Sequence, residues 1–339
     1  MKTERIKFID TLRGFAIFLV TLGHVLENTG YSQNSLYQLI YSFHMPLFIC
    51  ISSFVIAYSF NNKLAKTNTI TIKDTLNYIL SKFKAIMLPY YAWSLIAIPF
   101  FFYTYNGRLD YNKVIDAVFI NNTSYWFLPC LFGLSIIFIL YKYLLHKFNE
   151  RAKNKGITKI AIITLLIISL LSLYYVTKYD FLRSVSSYII PFIIGVAMAE
   201  YKNIYNAIYN NPYIYTVALI AFCLVVGIFI APQTPLMEKI SRFICGILSI
   251  PICFNFFNRG NILHPRIDNY LNRIGQNTLI IYILQFSFIK QLVAIPGLNI
   301  LLQLCIFSII VVLIIELILL IQKIFEQNRI LRIILLGKK

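Results

Sequence analysis

The sequence predicts an all-α membrane protein, a polytopic helix bundle of about ten transmembrane helices with both termini in the cytoplasm. Of its 339 residues, 59% are hydrophobic and only 13% are charged, whereas soluble domains average about 45–50% apolar and about 25% charged residues. The apolar residues form stretches of about 20, the length that crosses a bilayer. The basic residues lie between these stretches, as membrane topology requires.

Ten stretches satisfy the length requirement, and no long polar segment separates them. We therefore expect a single transmembrane domain over residues 1–339, without a separate soluble domain. In chain order, the predicted spans are 7–27, 36–60, 83–104, 124–145, 157–177, 184–201, 212–231, 241–257, 274–293 and 298–322.

The first stretch begins like a signal peptide, with basic residues before an apolar middle. It lacks a small-residue cleavage site, however, and it contains Asp10 and Arg13, so we interpret it as a span.

The distribution of Lys and Arg predicts the orientation. With the N-terminus inside, 23 of the 31 basic residues fall in inside segments, 7 fall in outside loops and Arg13 is buried. Because inside segments carry the excess of basic residues, this split favours ten spans and cytoplasmic termini.

Between the two ends of the first span lie three ionisable residues, Asp10, Arg13 and His24, and a charge near the bilayer centre costs at least about 2.5–3.5 kcal/mol. Asp10 and Arg13 are three residues apart and can pair on one helix face. Arg13 and His24 are separated by about three turns, roughly 16 Å along the axis, and share nearly the same face. The Asp10–Arg13 pair alone is equally well interpreted as a polar clamp between helices.

His24 and His44 form the second candidate feature. An imidazole in an apolar setting stays neutral and can accept a proton. His44 lies about two turns below the outer start of the second span, and His24 about one turn below the outer end of the first. Two antiparallel neighbours would place both rings in the outer part of the membrane, and Pro46 can kink the second helix to open a cavity.

Several classes of function are excluded by what the sequence does not contain. The six cysteines fall in apolar stretches without metal-ligand spacing, so we expect neither a disulfide framework nor a metal site. No phosphate-binding loop of the Walker type is present. The net charge of +18 is explained by membrane topology and attraction to anionic lipid rather than by nucleic acid.

These residues resemble the integral-membrane acyltransferase family 3, within it the group similar to fucose 4-O-acetylases. The resemblance begins with Asp10, the Arg13-x10-His24 spacing and FHMPLF at 43–48. It continues in order along the chain through KFKAIMLPYY (82–91), SYWFLPCLF (124–132), SYIIPFIIGVAMA (187–199) and IGQNTLIIYILQ (274–285).

The resemblance implies an O-acyltransferase in the bacterial plasma membrane. Its donor would be a cytoplasmic acyl-CoA, usually acetyl-CoA, used as a substrate rather than as a bound cofactor. Its acceptor would be a hydroxyl of an envelope polysaccharide or of a lipid-linked glycan.

For such a reaction, His24 is our candidate general base, with His44 orienting it, sharing its proton or binding the acceptor. Arg13 is the candidate to hold a CoA phosphate or carbonyl, with Asp10 fixing its rotamer. The remaining candidates bind substrate: Lys82, Lys84 and Arg273 for the CoA phosphates, Tyr282 or Trp126 for the oxyanion, and Gln285 through a hydrogen bond. The three basic residues are equally well explained as positive-inside anchors.

Two positions depart from the family pattern. Ser52-Ser53 stands where the family usually has Ser-Gly, which predicts a less close helix approach. Gln285 stands where many members have His, and an amide cannot serve as a base.

Two alternatives remain open from the sequence. A transporter or flippase for a lipid-linked glycan would also line its path with buried His and Arg. A scaffold subunit of a polysaccharide synthase would not depend on His24 at all.

Overall fold

The computed structural model describes residues 6–64, 70–104, 125–149, 180–230, 234–259, 263–295 and 297–338. Within these ranges the secondary structure is helical and no strand occurs. The helices are α1 (Lys7–Asn28), α2 (Ser35–Leu64), α3 (Ile72–Lys82), a π-helical turn (Phe83–Met87), α4 (Leu88–Thr104), α5 (Phe127–Asn149), α6 (Asp180–Ser187), α7 (Ile189–Glu200), α8 (Lys202–Asn210), α9 (Pro212–Ile230), α10 (Pro235–Asn258), α11 (Pro265–Gly275), α12 (Thr278–Ile289), α13 (Ile300–Gln327) and α14 (Arg329–Leu336).

Five of the described helices are long and apolar enough to cross a membrane: α1, α2, α5, α10 and α13. A sixth candidate is the pair α8 and α9, which is bent by 56°. The predicted span 184–201 is divided between α6 and α7, and 274–293 is represented by the shorter α12. The predicted span 157–177 lies outside the described residues, and the total of ten spans stays a prediction.

The chain divides into two compact units. Residues 1–59 and 191–322 form the first unit, and residues 60–190 and 323–339 form the second. The first unit therefore contains α1, α8 to α12, and most of α2, α7 and α13.

In the first unit, α1 packs closely against α11 because glycines face the contact. A Cβ added at Gly14 would overlap the carbonyl oxygen of Leu271, and one added at Gly275 would overlap the carbonyl oxygen of Asp10. Small residues let helix backbones approach where lipid offers no hydrophobic driving force. This approach brings the break between α11 and α12 beside Asp10 and Arg13.

The helices α1 and α12 run parallel. Arg13 contacts Thr278, Thr21 contacts Gln285, and the Asn28 amide donates to the carbonyl of Ile289 at 2.8 Å. The residue numbers on the two helices rise together, so these contacts form one line along α1 from its first turns to its last turn. We call this line of contacts the seam between α1 and α12.

The helix α2 approaches its neighbours through glycines on the other helices. A Cβ at Gly195 of α7 would overlap the Ser53 hydroxyl and the Cys50 carbonyl. Gly246 of α10 lies against the ring of Pro46, around which α2 continues unbroken. Close packing at Ser53 is thus obtained from Gly195, although the Gly expected at that position of α2 is missing.

The second unit is organised around α4 and the C-terminal helix α14. The Trp93 indole donates to the carbonyl of Leu335 at 3.0 Å. Gly337 ends α14 with φ of 62°, and a Cβ there would overlap the carbonyl oxygen of Ala85. Helix α3 begins with a capping box in which Thr71 and Asp74 satisfy each other's backbone N–H groups.

Candidate active site

The candidate site lies along the seam between α1 and α12, in the first unit. Arg13 and His24 belong to the same uninterrupted helix. Their separation of 11 residues therefore corresponds to about 16 Å along its axis. Polar groups mark three places along it: Arg13 and Thr21 bond to side chains of α12, and His24 bonds to side chains of α1 and α2.

At the first contact, the guanidinium of Arg13 joins α1 to α12. Its Nη2 donates to the Thr278 hydroxyl at 2.9 Å, and its Nη1 lies 3.6 Å from Oδ1 of Asp10. The two side chains are only 26% and 10% exposed. The predicted Asp10–Arg13 pair therefore forms, and Thr278 fixes the direction of the guanidinium.

The same end of α1 is tied to α11 through Asp268, which the sequence analysis did not identify. Its carboxylate accepts from the Thr11 hydroxyl at 2.9 Å and pairs with Lys7 at 2.7 Å. This second carboxylate compensates the charge of Lys7, while Asp10 faces Arg13.

In the middle of the seam, Gln285 is fully buried and contacts the Thr21 hydroxyl at 2.8 Å. That hydroxyl also lies 3.0 Å from the carbonyl of Ile17. The Thr21 hydroxyl has one proton. It either donates this proton to the amide oxygen of Gln285, or donates it to the Ile17 carbonyl and accepts from the amide nitrogen of Gln285. Either way, one polar atom of the Gln285 amide lacks a hydrogen-bond partner among the described residues.

One turn beyond Thr21, His24 meets a carboxylate and a phenol through the same ring nitrogen. Its Nδ1 lies 3.3 Å from Glu27 Oε2 and 3.2 Å from the Tyr41 hydroxyl. The Tyr41 hydroxyl donates to that same carboxylate oxygen at 2.8 Å. Across the seam, the imidazole packs on the Phe286 ring with 4.8 Å between centroids.

Donor and acceptor accounting assigns the tautomer of the neutral His24 ring. A carboxylate only accepts, and the single proton of Tyr41 is given to Glu27. The proton of the imidazole therefore lies on Nδ1, and Nε2 keeps its lone pair. An imidazole held in this way is prepared to accept a proton at Nε2.

His44 is brought to the same place through Tyr41. The ring of His44 is buried, and its centroid lies 4.8 Å from that of Tyr41, which also packs edge-on to His24. Its Nδ1 donates to the carbonyl of Ile40 at 2.7 Å, so Nε2 is again the accepting nitrogen. The two histidines thus flank one tyrosine.

Two further predicted residues belong to this unit. Tyr282 is buried on α12, and the centroid of its ring lies 6.2 Å from that of Phe286. Arg273 forms an ion pair with Glu316 and lies over the Tyr270 ring, 5.3 Å from the centroid. Burial raises the pKa of Tyr270 to about 12, so this ring is a neutral phenol at physiological pH.

The remaining predicted residues belong to the second unit. Trp126 stacks on Tyr188 with 5.4 Å between centroids. The Lys82 ammonium lies 5.3 Å from the centroid of Tyr78, and Lys84 is exposed in the π-helical turn.

Sequence reasoning missed Glu27, Tyr41 and Thr278. Glu27 follows His24 by three residues and Tyr41 precedes His44 by three, so helical spacing was a usable signal for both. Thr278 is 265 residues from Arg13, and no local pattern connects them.

Comparison with known families gives one finding. The sequence model described as an acyltransferase domain, that of acyltransferase family 3, matches residues 6–321. Neither the curated proteins nor the solved structures provide a match to this chain.

Proposed function

This chain belongs to acyltransferase family 3, and from that membership we propose that it is a membrane-bound O-acyltransferase. Its donor is acyl-CoA, acetyl-CoA in the first instance, and its acceptor is a hydroxyl of an envelope polysaccharide or lipid-linked glycan. In this proposal the protein crosses the plasma membrane ten times with both termini in the cytoplasm.

The observation that carries the proposal is the arrangement around His24. Glu27 and Tyr41 hold the Nδ1 side, so the opposite nitrogen is the basic one. A sugar hydroxyl is a poor nucleophile while protonated, and a positioned histidine contributes about 10²–10⁴-fold to its activation. Glu27 also stabilises the imidazolium that forms when His24 takes the proton.

The reaction then proceeds as one balanced transfer. The acceptor hydroxyl gives its proton to Nε2 of His24 while its oxygen attacks the thioester carbonyl. The tetrahedral intermediate collapses with cleavage of the carbon–sulfur bond. The CoA thiolate leaves and recovers the proton from the imidazolium, so His24 returns to its neutral form.

The other seam residues take supporting roles. Gln285 bonds to Thr21, which precedes His24 by about 4.5 Å along the axis of α1. Its amide is therefore suited to donate to the oxyanion. Arg13 is suited to a phosphate of the donor because its fork is already oriented by Thr278 and Asp10. The flexible arm of CoA would follow the seam from Arg13 towards His24.

The decisive experiment incubates the purified protein with radiolabelled acetyl-CoA and candidate glycans. We expect alkali-labile label on a glycan from the wild type and none from His24→Ala. The matched control is His264→Ala, because His264 only caps α11. Equal labelling by His24→Ala would overturn the assignment of the base.

A chromosomal deletion separates acyl transfer from glycan export. The proposal requires that cells without the protein keep their surface polymer and lose its ester groups. Loss of the polymer itself would instead identify a transporter.

A further inference from the structure

A groove lined by apolar side chains lies on the first unit, away from the seam between α1 and α12. Its volume is about 460 Å³, within the range of about 300–1,000 Å³ that is typical of ligand pockets. It is formed by α7 to α10, and its lining includes Ile208, Tyr213, Val217, Ile247, Leu248 and Pro251.

The groove opens on a surface that lipid covers. Tyr213 is 81% exposed and Val217 is 66% exposed, on a helix whose exposed residues are almost all apolar. Water would make such a surface costly, whereas the acyl chains of a bilayer match it. An apolar chain is therefore the chemistry that fits the groove.

A fixed arginine lies in line with the groove on α10. Ile247, Pro251, Asn255 and Arg259 follow one another at intervals of four residues and form one ridge of the helix. Arg259 is about 12 Å along the axis from Pro251, at the end of α10. The groove and the guanidinium therefore lie one after the other along the same helix row.

The guanidinium of Arg259 is oriented but its charge is not neutralised within the described residues. Its Nε donates at 3.0 Å to the amide oxygen of Asn255, which is buried, and its plane lies over Tyr215 at 5.1 Å from the ring centroid. The ion pairs of the described residues do not include Arg259. The two Nη groups keep the fork that binds phosphate in a bidentate manner.

We propose that this groove and Arg259 together bind an anionic membrane phospholipid, with one acyl chain in the groove and the phosphate on the guanidinium. The distance of about 12 Å along the ridge between Pro251 and Arg259 corresponds to the separation between the phosphate of a phospholipid and its acyl chain. The site shares no residue with the seam, so it does not depend on the proposed acyl transfer.

The test measures bound lipid by native mass spectrometry after exchange into nanodiscs containing equal amounts of phosphatidylglycerol and phosphatidylcholine. We expect the wild type to retain phosphatidylglycerol preferentially. Arg259→Gln should reduce that preference about tenfold, because the charge-assisted hydrogen bonds to the phosphate are lost. Val217→Trp, which fills the groove, should remove both lipids.

Two matched variants control for general effects on charge and surface. Arg266→Gln removes an exposed arginine of α11, and Leu224→Trp enlarges an exposed residue of α9 outside the groove lining. Both should retain lipid as the wild type does. Equal retention by Arg259→Gln and Arg266→Gln would overturn the headgroup site.

Three other outcomes also contradict the proposal. Glycerol phosphate binding as tightly as the intact lipid would show that the groove takes no part. Displacement of the lipid by inorganic phosphate alone would have the same meaning. A change of oligomeric state with Val217→Trp would identify a second copy of the chain as the occupant.

Discussion

Replacing Glu27 by Gln tests whether the carboxylate orients and stabilises His24. The substitution keeps the size of the side chain, removes the negative charge and adds an N–H donor towards Nδ1. The amide either turns its N–H towards Nδ1, which favours the tautomer with the lone pair on Nδ1, or keeps its oxygen there; in both orientations the negative charge that stabilises the imidazolium is lost. We therefore expect kcat to fall while the KM for acetyl-CoA is unchanged.

The size of the effect follows from the geometry. A hydrogen bond to a charged group is worth about 1.5–3 kcal/mol, and each 1.36 kcal/mol changes a rate by about tenfold. Glu27 is 51% exposed and lies 3.3 Å from Nδ1, which places the interaction at the weaker end. We expect a loss of about tenfold in kcat.

Tyr41→Phe extends the test to the second group at Nδ1. The loss of a neutral hydrogen bond costs about 0.5–1.5 kcal/mol, so we expect about two- to tenfold in kcat. Because Tyr41 and Glu27 act on the same nitrogen and on each other, the double variant should lose less than the product of the two single losses.

The assay is the initial rate of label transfer at varied acetyl-CoA concentration and saturating acceptor, with Glu326→Gln as the matched control. Glu326 is also partly exposed and pairs with Lys338 at 2.7 Å, in the second unit. An unchanged kcat for Glu27→Gln, with His24→Ala inactive, would refute the orienting role. An equal loss for Glu326→Gln would show that general surface charge is responsible.

Three further substitutions test the seam itself. Arg13→Lys should lower transfer by at least about tenfold, measured at saturating acceptor, because a point charge cannot replace the bidentate fork. Unchanged activity would show that Arg13 only neutralises the charge of Asp10. Gly14→Ala should destabilise the protein by about 1–3 kcal/mol through contact with the Leu271 carbonyl, measured as thermal unfolding in detergent, whereas Gly227→Ala, with open space around it, should not. Gln285→Leu should lower kcat and leave the unfolding temperature nearly unchanged, because an apolar side chain of similar size removes the amide without leaving a cavity; a large loss of stability with normal kcat would make Gln285 structural.

The parts predicted correctly from the sequence are those that depend on local spacing. The first span was predicted at 7–27 and is observed as Lys7–Asn28, because its apolar period and its polar stripe lie within one helix. The Asp10–Arg13 pair follows from the same spacing. Membrane crossing by several helices follows from composition alone, since so much apolar surface requires lipid.

What could not be predicted depends on contacts between distant segments. Thr278 orients Arg13 across 265 residues, and Gln285 meets Thr21 across 264. The departure at Ser53 suggested a looser packing of α2, yet the small residue needed for close approach is Gly195 on another helix. A helix contact needs one small partner, and a single sequence does not reveal which helix provides it.

The parallel arrangement of α1 and α12 gives the proposed reaction a direction. Arg13 and Thr278 lie where both helices begin, and His24 and Phe286 lie near their ends. In the proposed reaction, a donor held by its phosphates at Arg13 and extended along the seam would pass the Thr21–Gln285 contact before it reached His24. On that route, the half-satisfied amide of Gln285 would be positioned to donate a hydrogen bond to the arriving carbonyl. The proposal therefore accounts for an amide where many family members have His, because it needs a donor to a developing oxyanion there and assigns the base to His24.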